Sequence, residues 1–122
     1  MTASTSAIRR SNWELESFTD AEVEADRRME AEGGTWVPCD LGRYVFPRYS
    51  VTRVPAVGDP VSYSFNGDSY PDGHVTKVSK TLRVTTSSGK VYRRKGLTGA
   101  WIAEGGTWSL GFGHVSKRNP EF

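Results

Sequence analysis

Cysteine is almost absent: Cys39 is the only one among 122 residues. A lone thiol closes no internal disulfide, which excludes the small oxidised scaffolds of secreted proteins. A buried, inert thiol is the expectation for Cys39. Long apolar runs are also missing. None approaches the ~20 residues that a membrane-spanning helix needs, and the polar start of the chain has no apolar core of a signal peptide. Histidine is scarce. His74 and His114 stand without Cys or His partners at metal-ligand spacing, so no zinc site is expected. There is no phosphate loop, no dinucleotide fingerprint and no nucleophile signature around Cys39. These absences predict a soluble, non-enzymatic protein of a reducing compartment. No catalytic residue, cofactor, metal or membrane partner is expected.

What is present is glycine and aromatic side chains: 13 Gly, four Trp, five Tyr and five Phe, with an apolar content of only 36%. That profile favours short strands and tight turns over long helices. The net charge of +2 hides a division along the chain. Residues 1–34 hold four basic and eight acidic side chains, whereas residues 35–122 hold twelve basic and six acidic. This suggests an acidic arm, 1–34, on a basic body, 35–122.

Within the arm, residues 1–11 are polar and expected to be loosely held. A helix is predicted over 20–32. Thr19 offers an N-cap with Glu22 three residues later, and Gly33 and Gly34 supply the stop. Its apolar face is thin, consisting of Ala21, Ala25 and Met29. Glu24 and Arg28 form a favourably oriented i,i+4 pair, while Glu22, Asp26 and Glu30 repel one another.

Within the body the period shortens. Strands are predicted at 35–37, 43–46, 61–65, 74–79, 82–86, 90–94, 99–102, 107–110 and 113–116. Strands of this length, separated by turns every eight to twelve residues, predict a mainly β fold: a small barrel of short antiparallel strands with one N-terminal amphipathic helix. The hexapeptide Ala31-Glu32-Gly33-Gly34-Thr35-Trp36 recurs as Ala103-Glu104-Gly105-Gly106-Thr107-Trp108. Its simplest use is to enter a strand with an anchoring Trp. Residues 66–73 invite comparison with a calcium loop, but Pro71 stands where glycine is required and Lys77 where a bidentate Glu is required. Asn66-Gly67-Asp68 and Pro71-Asp72-Gly73 read instead as two turns.

The hairpin around Ser87-Ser88-Gly89 carries the sharpest functional signal. A three-residue loop pairs Thr86 with Lys90 and sets Arg83 against Arg93. A two-residue turn sets Arg83 against Arg94. The first register is preferred, because it places Leu82, Val84 and Tyr92 on one face and Arg83, Thr85 and Arg93 on the other. Either register opposes two arginines, at a cost of a few tenths to about 1 kcal/mol. A bound anion would relieve that repulsion. Lys77, Lys80, Lys90, Arg94 and Lys95 are close in sequence, and Tyr63, Phe65, Tyr70 and Tyr92 are interleaved with them. Cations for phosphates beside flat rings for bases are what single strands or RNA require. The predicted nucleic-acid-binding set is therefore Lys77, Lys80, Arg83, Lys90, Arg93, Arg94 and Lys95, with Tyr63 and Tyr70.

Two resemblances extend this reading. Gly58-Asp59-Pro60-Val61 followed by Gly73-His74-Val75 resembles the start and second strand of SH3-like barrels of the KOW and Tudor kind. That resemblance implies binding of nucleic acid or short peptides. The stretch Ser62-Tyr63-Ser64-Phe65-Asn66-Gly67-Asp68-Ser69-Tyr70-Pro71, with Gly106-Thr107-Trp108-Ser109-Leu110, Gly113-His114 and Arg118-Asn119-Pro120-Glu121-Phe122, is similar to small proteins of tailed bacteriophages and prophages. It implies a phage accessory protein acting in the host bacterial cytoplasm. Its expected partner is nucleic acid or, in the alternative, a host protein: the chain would then inhibit a host defence or replication enzyme through its acidic helix, or serve in virion assembly.

Overall fold

A computed structural model describes residues 11–116. The loosely held segment expected before Ser11, and the 118–122 part of the phage resemblance, lie outside the described residues. The chain forms two compact units. One takes the chain through Val54 together with Gly96–Gly99, and the other takes Pro55–Lys95 and the chain from Ala100 onward. These units divide at Val54, whereas the sequence suggested a division at residue 34. The two strands that follow the helix pair only with each other and belong with the helix, not with the barrel.

In the first unit, helix α1 spans Phe18–Glu32. It starts two residues earlier than predicted, because Ser17 rather than Thr19 is the N-cap. Ser17 has extended backbone, and its hydroxyl accepts the Asp20 N–H at 3.1 Å. The helix stops where predicted: Gly33 takes φ 76° and donates its N–H to the Met29 carbonyl at 3.0 Å. A residue with a Cβ would be strained there. The thin stripe of Ala21 and Ala25 is buried with Leu15 and Val51, and Trp36 and Tyr49 pack on this cluster. The Glu24–Arg28 pair forms at 2.8 Å, and Arg27 joins it at 2.9 Å. Glu24 is 1% exposed, so this carboxylate relies on both guanidiniums to remain charged in the interior.

Strands β1 (Trp36–Asp40) and β2 (Tyr49–Arg53) form the antiparallel ribbon beside this helix. Cys39 is fully buried. Pro38 lies within β1 opposite Val51. A two-stranded ribbon has only edges, so a residue without an N–H is tolerated there. The strand predicted at 43–46 does not form. Asp40 accepts the Gly42 N–H at 3.0 Å and Arg48 Nε at 2.8 Å, which turns the chain at the base of a loop. Residues 43–46 belong to that loop, where Tyr44 is 92% and Phe46 86% exposed.

The second unit is a closed antiparallel barrel of six strands in chain order. They are β3 (Pro60–Phe65), β4 (Asp68–Val78), β5 (Val84–Thr86), β6 (Val91–Arg94), β7 (Trp101–Ala103) and β8 (Ser109–Phe112). Pairing of β8 with β3 closes it. The mainly β barrel with one helix is thus the observed fold class. Val61, Val75, Val84, Tyr92 and Trp101 are buried hydrophobic residues of its strands.

Turn chemistry explains the outline. Asn66 and Gly67, with φ 51° and 85°, form the β3–β4 turn. Positive φ at both central positions is the hairpin geometry that Asn-Gly favours. The second turn expected at Pro71-Asp72-Gly73 is instead an irregularity inside β4. Ser62 pairs with Pro71 and Pro60 with His74, so two β4 residues face one on β3. Gly73 takes φ 75° there, and a Cβ would fall 1.9 Å from the Ser87 hydroxyl. Leu82 does not join β5 as predicted. It sits at φ 66° in the β4–β5 turn, where its carbonyl accepts Trp101 Nε1–H at 2.8 Å. Residues 113–116 form no strand. The Ser62 hydroxyl donates to the Gly113 carbonyl and accepts the Val115 N–H.

Candidate functional site

The three-residue loop forms at Ser87-Ser88-Gly89. Val84 pairs with Tyr92 and Thr85 with Val91, and the Thr86 N–H donates to the Lys90 carbonyl at 2.9 Å. Continued by one residue, this register opposes Arg83 and Arg93, as expected. The relieving anion, however, is supplied by the chain itself. One Glu104 carboxylate oxygen lies 2.9 Å from Arg83 Nε and 3.7 Å from Arg93 Nε. Glu104 belongs to the second copy of the repeated hexapeptide, and its N–H is anchored on the Val91 carbonyl at 2.9 Å.

This bridge lies in an open groove of about 670 Å³. Arg83, Arg93, Arg94 and Lys95 line it, against the single carboxylate of Glu104. All three groups of the bridge are partly exposed, with side-chain exposures of 52%, 68% and 36% for Arg83, Arg93 and Glu104. Ion pairs so exposed contribute little to stability. They are also open to exchange with another anion.

A second groove, of about 460 Å³, adjoins the first and shares residues Ala103, Glu104, Gly105 and Gly106 with it. Its walls include Trp108 and Lys90. Trp108 contacts Tyr63, Phe65 and Tyr70 at centroid distances of 4.7, 5.4 and 6.1 Å. The two copies of the hexapeptide therefore share a use and differ in setting. One leaves a helix and delivers Trp36 to the start of β1. The other turns from β7 and delivers Trp108 just ahead of β8.

The structure divides the predicted set. Arg83, Arg93, Arg94 and Lys95 come together in the groove. Tyr63 and Tyr70 join the aromatic cluster. Lys90 does not share the arginine surface. Its ammonium lies 3.3 Å from Asp72 and 4.4 Å from the Tyr63 ring centre. Lys77 is exposed on β4 opposite Thr85, and Lys80 is exposed in the β4–β5 turn; neither lines the groove. Tyr92, counted among the interleaved aromatics, is fully buried and offers no stacking face. Glu104, Gly105, Gly106, Trp108 and Asp72 were not in the predicted set. The repeat was the signal that pointed to the first four.

Asp72 organises the interior polar network. It accepts Thr86 Oγ1–H at 3.1 Å, the Tyr92 hydroxyl at 3.3 Å and the Lys90 ammonium at 3.3 Å. Burial first, and then the Asp72 charge, push the Tyr92 phenol well above its ordinary value. Above about pH 10 the unfolded chain releases this proton while the folded chain keeps it, so the stabilisation is full below that pH and is lost as pH rises. In urea titrations, wild type should lose more stability than Tyr92→Phe between about pH 8 and pH 11. Equal losses would remove Tyr92 from the alkaline response.

Among the described residues, no group of three or more His, Cys, Asp and Glu side chains is arranged to hold a metal ion. No described helix is long and apolar enough to cross a membrane. Compared with known proteins, the chain matches no family model, no curated protein and no solved structure.

Proposed function

We propose that this chain is a non-enzymatic nucleic-acid-binding protein whose barrel receives the phosphate backbone in the Arg83–Arg93 groove. The observation that carries this reading is the groove itself: four cations, one carboxylate, and an adjoining groove lined by Trp108 of the aromatic cluster. The SH3-like resemblance is compatible with this class of ligand as well as with short peptides, and the phage resemblance adds only the host bacterial cytoplasm as the setting. Glu104 occupies the position between two guanidiniums that a phosphate would take. It holds the arginines in place when the groove is free, and it competes with the ligand.

Fluorescence anisotropy with labelled oligonucleotides at about 50 mM salt tests this, because phosphate contacts are strongest at low salt. Glu104→Gln is the informative variant. It should bind severalfold more tightly than wild type, while losing up to about 1 kcal/mol of stability to the uncovered Arg83–Arg93 repulsion. Unchanged or weaker binding would count against the groove. Affinity purification that returns a stoichiometric protein and no nucleic acid would transfer the reading to protein recognition. Trp13, Tyr44 and Phe46 are among the exposed aromatic residues available for that.

A further inference from the structure

We infer that the Phe65–Trp108 surface stacks an unpaired base, so that the ligand of the groove is single-stranded. This rests on the nucleic-acid reading above and names its substrate class. In an antiparallel barrel whose strands follow chain order, alternate turns fall at the same end. The β3–β4, β5–β6 and β7–β8 turns therefore ring one mouth. Phe65 ends β3 beside the first of these turns, Lys90 follows the second, and Trp108 follows the third. Phe65 is 39% exposed and lies 5.4 Å from Trp108 between ring centres, with the planes tilted by 38°.

Two features decide what this surface accepts. An aromatic cluster attracts cations, but here Lys90 already occupies the Tyr63 face and is held there by Asp72. The cluster's cation requirement is met internally, and the face that remains suits a neutral flat ring. The path from the arginines to that face runs past Gly105 and Gly106. Both glycines line both grooves, carry no side chain to stand between them, and have open space where a Cβ would lie. Phosphate held by Arg83 and Arg93 and a base laid on Phe65 and Trp108 are the two halves of single-strand recognition. A duplex keeps its base faces stacked on one another and offers only the phosphates.

The test compares three ligands of equal length with wild-type protein: a base-bearing single strand, an abasic sugar-phosphate strand and a duplex. The base-bearing strand should bind on the order of tenfold more tightly than the abasic one, with the same salt dependence, and more tightly than the duplex. Phe65→Ala, at a partly exposed position, should bring the base-bearing strand close to the abasic level without changing the salt dependence. Equal, salt-dependent binding of the two single strands would overturn stacking and leave the phosphate groove standing. So would duplex binding as tight as that of the base-bearing strand. A base preference untouched by Phe65→Ala would overturn the assignment to this surface. No salt-dependent binding of any ligand would overturn both proposals.

Discussion

The double variant Arg83→Ala with Arg93→Ala is expected to bind a single-stranded oligonucleotide about 60-fold more weakly than wild type at about 50 mM salt. The magnitude follows from counterion release. Each phosphate neutralised on a single strand contributes a slope of about −0.7 in log affinity against log salt, or about eightfold per contact at that salt. Two lost contacts multiply. Loss of both arginines also leaves Glu104 without the partners at 2.9 and 3.7 Å, as an added negative charge in the groove. Adding Glu104→Gln to the double variant should recover part of the loss. If the arginines act only as solubilising charge on a strand, the double variant will bind as wild type does. Both side chains are more than half exposed, so the fold should survive the change.

The largest effect on stability is expected from Asp72→Ala, about 3 kcal/mol in urea unfolding. Asp72 is 5% exposed and accepts hydrogen bonds from Thr86 and Tyr92, both buried. Its removal takes the acceptor from the Tyr92 hydroxyl and frees Lys90 from its anchor, whereas the Thr86 hydroxyl keeps Ser88 Oγ at 3.0 Å and the Lys90 carbonyl at 3.5 Å. The Lys90 part of this is small, since that side chain is 41% exposed and screened by water. Most of the cost falls on Tyr92, whose hydroxyl loses its charged acceptor. A loss below about 1 kcal/mol would mean that water or a neighbouring group replaces Asp72.

What the sequence revealed, and what it did not, follows the range of the interactions. Asn66-Gly67, Ser87-Ser88-Gly89 and Gly33 act on the backbone next to them. The turn geometry, the hairpin register and the helix stop were therefore legible from local chemistry. The helix start was placed two residues late, because Thr19 with Glu22 has the same capping pattern as Ser17 with Asp20, which the fold uses. Pro71-Asp72-Gly73 has turn composition, yet β3 recruits it into a strand and absorbs the extra residue as an irregularity. The division at Val54 was not legible in the sequence, because β1 and β2 have the composition of barrel strands and differ only in what they pair with. The site divided in the same way. Local register placed Arg83 opposite Arg93. Which anion meets them depends on β7 folding beside β6, a contact between distant parts of the chain that no spacing rule encodes. The same holds for Lys90, which its neighbours in sequence assigned to the basic face and which Asp72 draws away.

If the Arg83–Arg93 groove binds nucleic-acid phosphates, wild-type binding to a single-stranded oligonucleotide will depend on salt more steeply than binding by the double arginine variant. Plots of log affinity against log salt should be linear, with the variant's slope shallower by about 1.4, the equivalent of two phosphate contacts. Identical slopes for the two proteins, or no binding by wild type at about 50 mM salt, would contradict phosphate binding by this groove.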